Sequence, residues 1–308
     1  MSGYRAASEG CNMDMRIKRV AVRLVTMNLA AIFVMVVSGC MAFPPVAPPQ
    51  ALLPPGLRTN AFLSAEGRTL APGVEYRRFH FKDLYGGPLS LCLVVVEWDK
   101  ASVRAGLKFC GPARRRTSDL AREAGALVAV NGGYHTAFGP LGTLPYYSLK
   151  IDGVLLPCMQ PGGDGTVAFS GAGLPYVGKF RQEILTHYDN VLSADGLVFE
   201  GRTGLAQTGR KAPHTGIGLS ADGRLFVLAI DGRHTESQGL NLGEMADFMI
   251  RLGCVSAISL DGGGSTTMVL SDAPEDGVVN RPSDGKRFDI VAKEREICDI
   301  FYLRTAGR

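Results

Sequence analysis

The chain has 308 residues, of which 46% are hydrophobic and 20% are charged, so it can bury a sizeable core and is not disordered by composition. Its formal net charge is +4, but residues 1–39 carry +3 of that charge, which leaves about +1 for the rest. This balance argues against a basic surface for nucleic acid, so any phosphate contact has to be local.

The first 39 residues have the layout of a bacterial signal peptide. Basic residues precede an apolar run from Leu24 to Val37, and the run closes with Val37-Ser38-Gly39-Cys40. This tetrapeptide resembles a lipobox, in which the cysteine is acylated and becomes the mature N-terminus. An uncleaved membrane anchor is the alternative, although the run is somewhat short for a transmembrane helix. Residues 1–39 are therefore predicted to be a signal peptide and Cys40 a lipidation site. Export to the cell envelope follows, on the periplasmic side or anchored in the outer membrane.

Residues 41–59 are predicted to be a tether. Prolines recur between positions 44 and 55 and favour an extended polyproline conformation. The folded domain is then expected to occupy residues 60–308.

Cysteines in this domain are odd in number and include no Cys-x-x-Cys pair. They are Cys92, Cys110, Cys158, Cys254 and Cys298. A zinc site is therefore not expected, and at least one thiol is expected to be free.

The first half of the domain predicts strands and one short helix. Apolar patterns indicate strands at Tyr76–Phe81, Leu89–Val96 and Ala126–Val130. Ser118 to Ala124 is predicted to be a helix, with Thr117 or Ser118 as its cap and Gly125 as its stop. The third strand ends in Asn131-Gly132-Gly133-Tyr134.

Two Asp-Gly pairs between apolar runs predict β-hairpins, at Asp152-Gly153 and at Asp222-Gly223. Asp152, Asp195 and Asp222 are interpreted as turn formers rather than catalysts, because aspartate tolerates turn geometry.

The stretch from Leu225 to Leu270 predicts a β-α-β unit. Leu225 to Ile230 and Val255 to Leu260 are apolar runs typical of buried strands. Between them, apolar residues fall at helical spacing, with Asn241 and Glu244 as a capping box and Gly253 as the stop. Asp231 and Asp261 then follow the two strands, where open α/β sheets usually place their ligand crevices.

These alternating signals predict an α/β (mixed α+β) fold. We expect a single main domain with a central mixed sheet and glycine-rich turns at strand ends. Ile297 to Leu303 is predicted to be a final strand.

Asp231 and Asp261 are candidates for glycosidic chemistry. That chemistry commonly needs one group to protonate the leaving oxygen and another to stabilise or attack the developing cation. One or both aspartates could instead only cap loop amides. Glu244 is more simply explained as a helix cap.

Gly262 to Ser265 could offer backbone amides and a hydroxyl to phosphate or sugar oxygens. Arg233 and Arg281 suit bidentate contact with a phosphate. His214 and His135 could carry protons or only form hydrogen bonds within loops.

Five motifs in this order resemble those of the phosphodiester glycosidase family, whose bacterial members are often labelled exopolysaccharide-biosynthesis proteins. The motifs are Asn131-Gly132-Gly133-Tyr134, Pro213-His214-Thr215-Gly216-Ile217-Gly218, Asp231-Gly232-Arg233 with Ser237-Gln238-Gly239, Leu260-Asp261-Gly262-Gly263-Gly264-Ser265 and Asn280-Arg281-Pro282-Ser283. Each motif is ordinary alone, but the set is specific. His214 stands where the family usually has arginine, and His135 stands where an aromatic residue commonly follows the first motif.

The resemblance implies hydrolysis of a sugar-1-phosphodiester, with Asp231, Asp261 and Arg233 as catalytic residues. It implies substrate-binding roles for Asn131, Gly132, Gly133, His214, Thr215, Ser237, Gly239, Gly262, Gly263, Gly264, Ser265, Asn280 and Arg281. No cofactor is predicted, although carboxylates near phosphate could recruit calcium or magnesium. The expected partners are a glycan or sugar-phosphate substrate and a membrane, reached through the lipid anchor, and not nucleic acid.

Two other functions were considered for the same residues. A non-catalytic envelope module could bind phosphorylated polysaccharide with these turns and without turnover. A nucleotide-dependent transferase is disfavoured by the predicted export and by the missing phosphate-loop lysine.

Overall fold

The computed structural model describes residues 62–136, 143–285 and 293–307. The predicted signal peptide at 1–39, the lipidation site Cys40 and the predicted tether at 41–59 lie outside the described residues. Within the described ranges, no helix is long and apolar enough to cross a membrane.

The described residues form strands and a few short helices. The strands are β1 (Phe62–Ala71), β2 (Val74–Phe81), β3 (Leu89–Glu97), β4 (Val103–Phe109), β5 (Val128–Asn131), β6 (Leu149–Ile151), β7 (Val154–Leu155), β8 (Gly165–Phe169), β9 (Tyr176–Lys179), β10 (Asn190–Phe199), β11 (His214–Ser220), β12 (Arg224–Ile230), β13 (Cys254–Ser259), β14 (Met268–Leu270) and β15 (Asp299–Thr305). The α-helices are α1 (Thr117–Ala124), α2 (Ile184–His187) and α3 (Leu242–Arg251), and Gly263–Ser265 is a 3₁₀ turn.

These strands form two sheets. The larger follows the order β1-β2-β3-β12-β11-β13-β10-β6-β7, with β8 paired to β10 and β9 paired to β8. The smaller follows the order β14-β5-β15-β4.

The predicted central mixed sheet is wrong, because every strand pair formed by the described residues is antiparallel. The predicted mixture of helices and strands is present but mainly β, since 44% of the described residues lie in strands and 11% in helices. The predicted β-α-β unit exists as β12, α3 and β13, but β11 lies between its two strands and runs antiparallel to both. Because β11, the hairpin partner of β12, lies between them, β12 and β13 do not form a parallel pair.

Strand β12 lies in the middle of the large sheet and supplies both of its faces with apolar side chains. Phe226 and Leu228 pack on one face with residues of α3 such as Met245. Val227 and Ala229 point to the other face and share a core with residues of the small sheet. The period-2 alternation of a strand explains this division, so β12 is buried between α3 and the small sheet.

Both predicted helices of the sequence are present, but their N-termini are held differently. At α3, the Asn241 side chain accepts a hydrogen bond from the Glu244 amide at 2.9 Å, and the Glu244 carboxylate accepts one from the Asn241 amide at 3.0 Å. This confirms the predicted capping box. At α1, no side chain of the preceding residue caps the helix. Instead, the carboxylate of the distant Glu294 accepts hydrogen bonds from both the amide and the hydroxyl of Ser118.

The Asp-Gly signals give two confirmed hairpins and one wrong prediction. Asp152-Gly153 joins β6 to β7, and Asp222-Gly223 joins β11 to β12. Asp195 was interpreted as a turn former but lies inside β10. The sequence Ala-Asp-Gly occurs at both Asp195 and Asp222, so pairing of β10 with β13 and β8, rather than local preference, decides the outcome at Asp195.

Cys92, Cys110, Cys158, Cys254 and Cys298 are all free thiols. The expectation of at least one free thiol in this set is therefore confirmed.

We predict that Asn241→Ala lowers the free energy of unfolding by about 1 kcal/mol, since it leaves the Glu244 amide in the first turn of α3 without its acceptor. Urea denaturation of the purified protein measures this change. Asn241→Asp keeps an oxygen acceptor and is the matched control, expected to cost only a few tenths of a kcal/mol. Equal destabilisation by both variants would contradict a capping role.

Candidate active site

The ends of three neighbouring strands bring the predicted site residues to one edge of the large sheet. Asp231 directly follows β12, and Asp261 follows β13 after Leu260. His214, the first residue of β11, pairs with Ile230 in β12, and the amide of Leu260 donates to the carbonyl of Thr215 at 2.9 Å. Because β11 runs antiparallel to both neighbours, its beginning meets their ends.

Asn131 joins this edge to the small sheet. Its Nδ2 donates to the carbonyl of Asp261 at 2.7 Å, and its Oδ1 accepts from the Thr215 hydroxyl at 2.6 Å and from the Thr267 amide at 3.2 Å. Asn131 and Thr215 are both fully buried. Substrate contacts were expected for these two side chains, but their polar atoms bond within the protein and fix the turns.

Asp231 is almost completely buried, with an exposed fraction of 1%. Its Oδ1 accepts from the backbone amide of Arg281 at 2.7 Å and from Nδ2 of Asn280 at 3.2 Å. Its Oδ2 has no hydrogen-bond partner in the described part of the chain. Burial raises the pKa of Asp231 to about 6, against the opposing effect of these two donors.

Asn280 and Arg281 support Asp231 from a loop. Asn280 also donates to the carbonyl of Thr266 at 3.0 Å and accepts from the Met268 amide at 2.7 Å. The Arg281 guanidinium, expected to hold a phosphate, instead forms an exposed ion pair with Glu236 at 3.1 Å. Only the backbone amide of Arg281 reaches the aspartate.

Asp261 is the more accessible of the two aspartates, with 16% of its side chain exposed. Its Oδ2 accepts from the Ser265 hydroxyl at 2.6 Å, and Nδ1 of His135 lies 3.8 Å from the same oxygen. Burial raises the pKa of Asp261, and Ser265, His135 and Arg295 oppose that effect. A carboxyl group with a raised pKa that is still open to solvent suits proton transfer or stabilisation of a cation.

The glycine turn after Asp261 differs from the expected open set of amide donors. The amide of Gly263 donates to the carbonyl of Pro213 at 2.9 Å, and the amide of Ser265 donates to that of Gly262 at 3.2 Å. These amides therefore hold the 3₁₀ turn.

The same glycines let two guanidinium groups come close to the backbone. A Cβ atom on Gly263 would lie 2.8 Å from Nη2 of Arg233, and one on Gly264 would lie 2.7 Å from Nη2 of Arg295. Arg233 has a left-handed backbone with φ of 62° and an exposed side chain. Its pKa is lowered by partial burial and by the nearby cations Arg210 and Arg295. Guanidinium groups gathered at one turn form a candidate anion site, in which Arg295 already pairs with Asp284 at 2.8 Å.

Arg295 was missed by the sequence analysis. It lies in a charged stretch near the C-terminus, and its Nη2 donates to Oδ1 of Asp284 at 2.8 Å. Nothing in that stretch distinguishes it from an ordinary surface arginine, so the sequence carries no signal for its placement.

His214 presents an uncharged ring to the site. Its Nε2 donates to the carbonyl of Leu240 at 3.0 Å, which leaves Nδ1 as the acceptor. A Cβ atom on Gly262 would lie 3.1 Å from that Nδ1. Burial, and to a smaller extent Arg233, lowers the pKa of His214, so this residue does not supply a cation where the family usually has arginine.

Asp299 is a second buried carboxyl that the sequence analysis did not identify. Its Oδ1 accepts from the Gly133 amide at 2.8 Å, and its carbonyl accepts from the Gly132 amide at 2.8 Å. A Cβ atom on Gly132 would overlap Oδ1 of Asp299. Burial raises the pKa of Asp299 to about 6. Gly132 and Gly133 are predicted to contact substrate, but the Gly133 amide bonds the Asp299 carboxylate and the Gly132 amide bonds the Asp299 backbone carbonyl.

Ser237 and Gly239 shape the loop after Asp231. The buried Ser237 hydroxyl donates to the carbonyl of Asp231 at 2.7 Å. Gly239 has a φ of 82°, and a Cβ atom there would overlap the carbonyl oxygen of Ala212. Both residues therefore act on the backbone of the loop rather than on the open side of the site.

The described residues contain no group of three or more His, Cys, Asp or Glu side chains that could hold a metal ion.

Comparison with known proteins assigns most of the described chain to one family. A family model described as phosphodiester glycosidase matches residues 124–304. N-acetylglucosamine-1-phosphodiester alpha-N-acetylglucosaminidase from Bos taurus is 44% identical over 70 residues, which is 23% of this chain and 12% of that protein. The Homo sapiens protein of the same name is also 44% identical over 70 residues, or 13% of its length. The matched part of the chain thus spans only a small fraction of these relatives.

Solved structures are similar in fold. The catalytic domain of zebrafish N-acetylglucosamine-1-phosphodiester alpha-N-acetylglucosaminidase, auto-inhibited by its pro-peptide, has a TM-score of 0.60 at 20% identity and covers 79% of this chain and 88% of its own. A protein from Burkholderia pseudomallei, named for its inferred export, has a TM-score of 0.63 at 14% identity and covers 85% of this chain and 99% of its own.

We predict that Asp231→Asn flattens the pH dependence of stability between about pH 4 and 6. Because the pKa of Asp231 is raised on folding, the native state binds a proton that the unfolded chain releases, and stability falls as pH rises through this window. For one group the fall is about 3 kcal/mol. Asparagine keeps an oxygen acceptor at position 231 but does not titrate. Asp299 still contributes to the pH dependence of stability, because its pKa is also raised.

Urea unfolding at a series of pH values measures this effect. The exposed turn residue Asp152, changed to asparagine, is the control and should leave the native pH dependence intact. If Asp231→Asn leaves the pH dependence of stability unchanged, the pKa of the Asp231 carboxyl is not raised in the folded protein.

Proposed function

Because the chain belongs to the phosphodiester glycosidase family, we propose that it is an exported hydrolase that cleaves a sugar-1-phosphodiester bond in envelope or extracellular glycans. The observation that carries this proposal is the position of Asp261, a partly exposed carboxyl near Arg295, at the start of the glycine turn that the Arg233 guanidinium also approaches. Such a pairing matches a substrate whose scissile bond joins a sugar to a phosphate.

In the proposed reaction, water attacks the anomeric carbon, the bond from that carbon to the phosphate oxygen breaks, and the phosphate leaves as a monoester of the rest of the substrate. Arg233 and Arg295 neutralise the phosphodiester and the charge that develops on it as the bond to carbon breaks. Asp261 faces the sugar, where it stabilises the developing cation or accepts a proton from the attacking water. Phosphate is a good leaving group, so electrostatic stabilisation dominates over general-acid help.

Asp231 takes a supporting role in this scheme. Its side chain is far less exposed than that of Asp261, and it holds the Asn280-Arg281 loop through one oxygen. We therefore assign the contact with the sugar to Asp261 and the positioning of the surrounding loops to Asp231.

The relatives named above suggest N-acetylglucosamine as the sugar. His214 argues for some difference in how the phosphate is held, since a neutral ring replaces the family's usual arginine. Arg295, which approaches Gly264 from the other side of the turn, supplies a second cation in the proposed site.

We predict that Asp261→Asn and Arg233→Ala each reduce turnover of UDP-N-acetylglucosamine by about 100-fold or more, because each removes a charge that acts in the transition state. Release of free N-acetylglucosamine by the purified protein measures the rate, with and without EDTA to test for a divalent cation. Asp152→Asn and Arg251→Ala change an exposed turn and a helix-surface ion pair, and serve as matched controls.

Near-normal turnover in both site variants would overturn the assignment of the site. Binding of the sugar nucleotide by the native protein without any release of sugar would instead favour a non-catalytic module for phosphorylated polysaccharide.

Anchoring to the membrane through Cys40 is part of the proposal and rests on the sequence Val37-Ser38-Gly39-Cys40. We predict that the protein incorporates radiolabelled palmitate when expressed in a bacterium and fractionates with membranes. Cys40→Ala should abolish both properties, whereas Cys11→Ala should leave both unchanged. Labelling that survives Cys40→Ala would refute lipidation at this residue.

A further inference from the structure

A row of three tyrosines runs outward from the turn that precedes the candidate site. Tyr134 directly follows Gly133, its ring centroid lies 6.1 Å from that of Tyr147, and Tyr147 lies 5.0 Å from Tyr146, with edge-to-face geometry at both steps. The amide of Tyr146 donates to the carbonyl of Tyr134 at 2.7 Å. The row is therefore held by backbone as well as by ring contacts.

Carboxylates lie along this row. The Tyr147 hydroxyl donates to Oδ1 of Asp195 at 3.2 Å. Burial, followed by the Asp195 charge, raises the pKa of Tyr134. Asp195 pairs in the sheet with Ser259, two residues before Asp261. Burial, Asp195 and Asp164 together raise the pKa of Tyr147 to about 12. This side of the site is negative.

The outer end of the row is exposed. Tyr146 is 39% exposed and Met159 is 57% exposed. Backbone hydrogen bonds from Met159 to Pro145 and from Gln160 to Tyr146 keep the two segments side by side. An exposed aromatic ring beside an apolar side chain and nearby carboxylates is the chemistry that binds a sugar, since a sugar presents an apolar C–H face and a rim of hydroxyl donors.

Arginines approach the glycine turn that follows Asp261, where one of them, Arg295, pairs with Asp284 at 2.8 Å. Arg295 acts on the Asp261 carboxyl as a nearby cation, and Arg233 and Arg210 lie with it. Tyr134, at the inner end of the tyrosine row, is close enough to Asp261 to feel its charge. Asp261 therefore has arginines at the turn after it, and Asp195 with the tyrosine row beside the strand before it.

We propose that the exposed face of Tyr146, with Met159 and the carboxylates of Asp195 and Asp164, is a subsite for a neutral sugar. This subsite fixes the direction of the substrate, because a phosphate is repelled by the carboxylates and attracted by the arginines at the turn after Asp261. The direction of the substrate rests on the proposed function. Sugar binding at the subsite requires no turnover. The sugar is either the one that carries the phosphodiester or its neighbour in a longer glycan.

Titration of the purified protein with N-acetylglucosamine, its β-1,4-linked dimer and inorganic phosphate, followed by protein NMR, tests this proposal. We expect Tyr146→Ala to weaken sugar binding about 3- to 10-fold, the range expected for one aromatic contact, and to leave phosphate binding unchanged. Tyr146→Phe keeps the ring and should bind sugar as the native protein does. Leu174→Ala, at another exposed apolar residue, is the surface control. Arg295→Ala should show the reverse pattern, with weaker phosphate binding and native sugar binding.

Loss of affinity for the dimer alone in Tyr146→Ala would place the neighbouring sugar on this subsite, and equal loss for both sugars would place the phosphate-bearing sugar there. Native-like sugar binding by Tyr146→Ala, or no sugar binding by the native protein, would overturn the proposal. Neither result depends on hydrolysis, so failure of the subsite and failure of the proposed reaction are separate outcomes.

Discussion

The side chain of Asn131 is the interaction on which the site depends. It extends from the small sheet, and its amide connects the carbonyl of Asp261, the hydroxyl of Thr215 and the backbone of Thr267. These groups belong to both sheets and to the turn between them. Because they are buried, loss of the amide would leave several polar groups without partners at once, at about 1–3 kcal/mol for each group. The Asn131 side chain therefore fixes how the two sheets are aligned at the candidate active site.

Local patterns in the sequence predicted the parts of the structure that depend on neighbours along the chain. Strand β12, helix α3 with its capping box and strand β13 all lie close to where periodicity and capping signals placed them. Asp231 and Asp261 could be assigned to strand ends for the same reason. The two aspartates meet at one edge because helix α3 returns the chain so that β12 and β13 run in the same direction. Strand β11 lies between these two strands, so they do not pair directly.

The rest of the site depends on contacts between residues that are distant in sequence. Asp299 lies within an apolar stretch that predicts only a strand, yet its carboxyl holds the Gly132-Gly133 turn. Arg295 reaches Gly264 from a charged segment near the C-terminus. Arg281 shows the converse, since a motif arginine uses its amide at the site and directs its guanidinium to Glu236. The spacing of residues in the sequence does not reveal whether the backbone or the side chain of a residue will contact the site.

The loop between Asp231 and helix α3 is held by hydrogen bonds at both ends, and its exposed tip includes Glu236, the partner of Arg281. The amide of Asp231 donates to Ser90, and Leu240 and Ala212 exchange two backbone hydrogen bonds, while Thr235 and Glu236 at the tip are exposed. A change at the tip leaves the core and the helix cap untouched, yet the same loop carries Arg233. A longer or chemically different tip would therefore change the surroundings of Arg233 while the hydrogen bonds that close the loop remain.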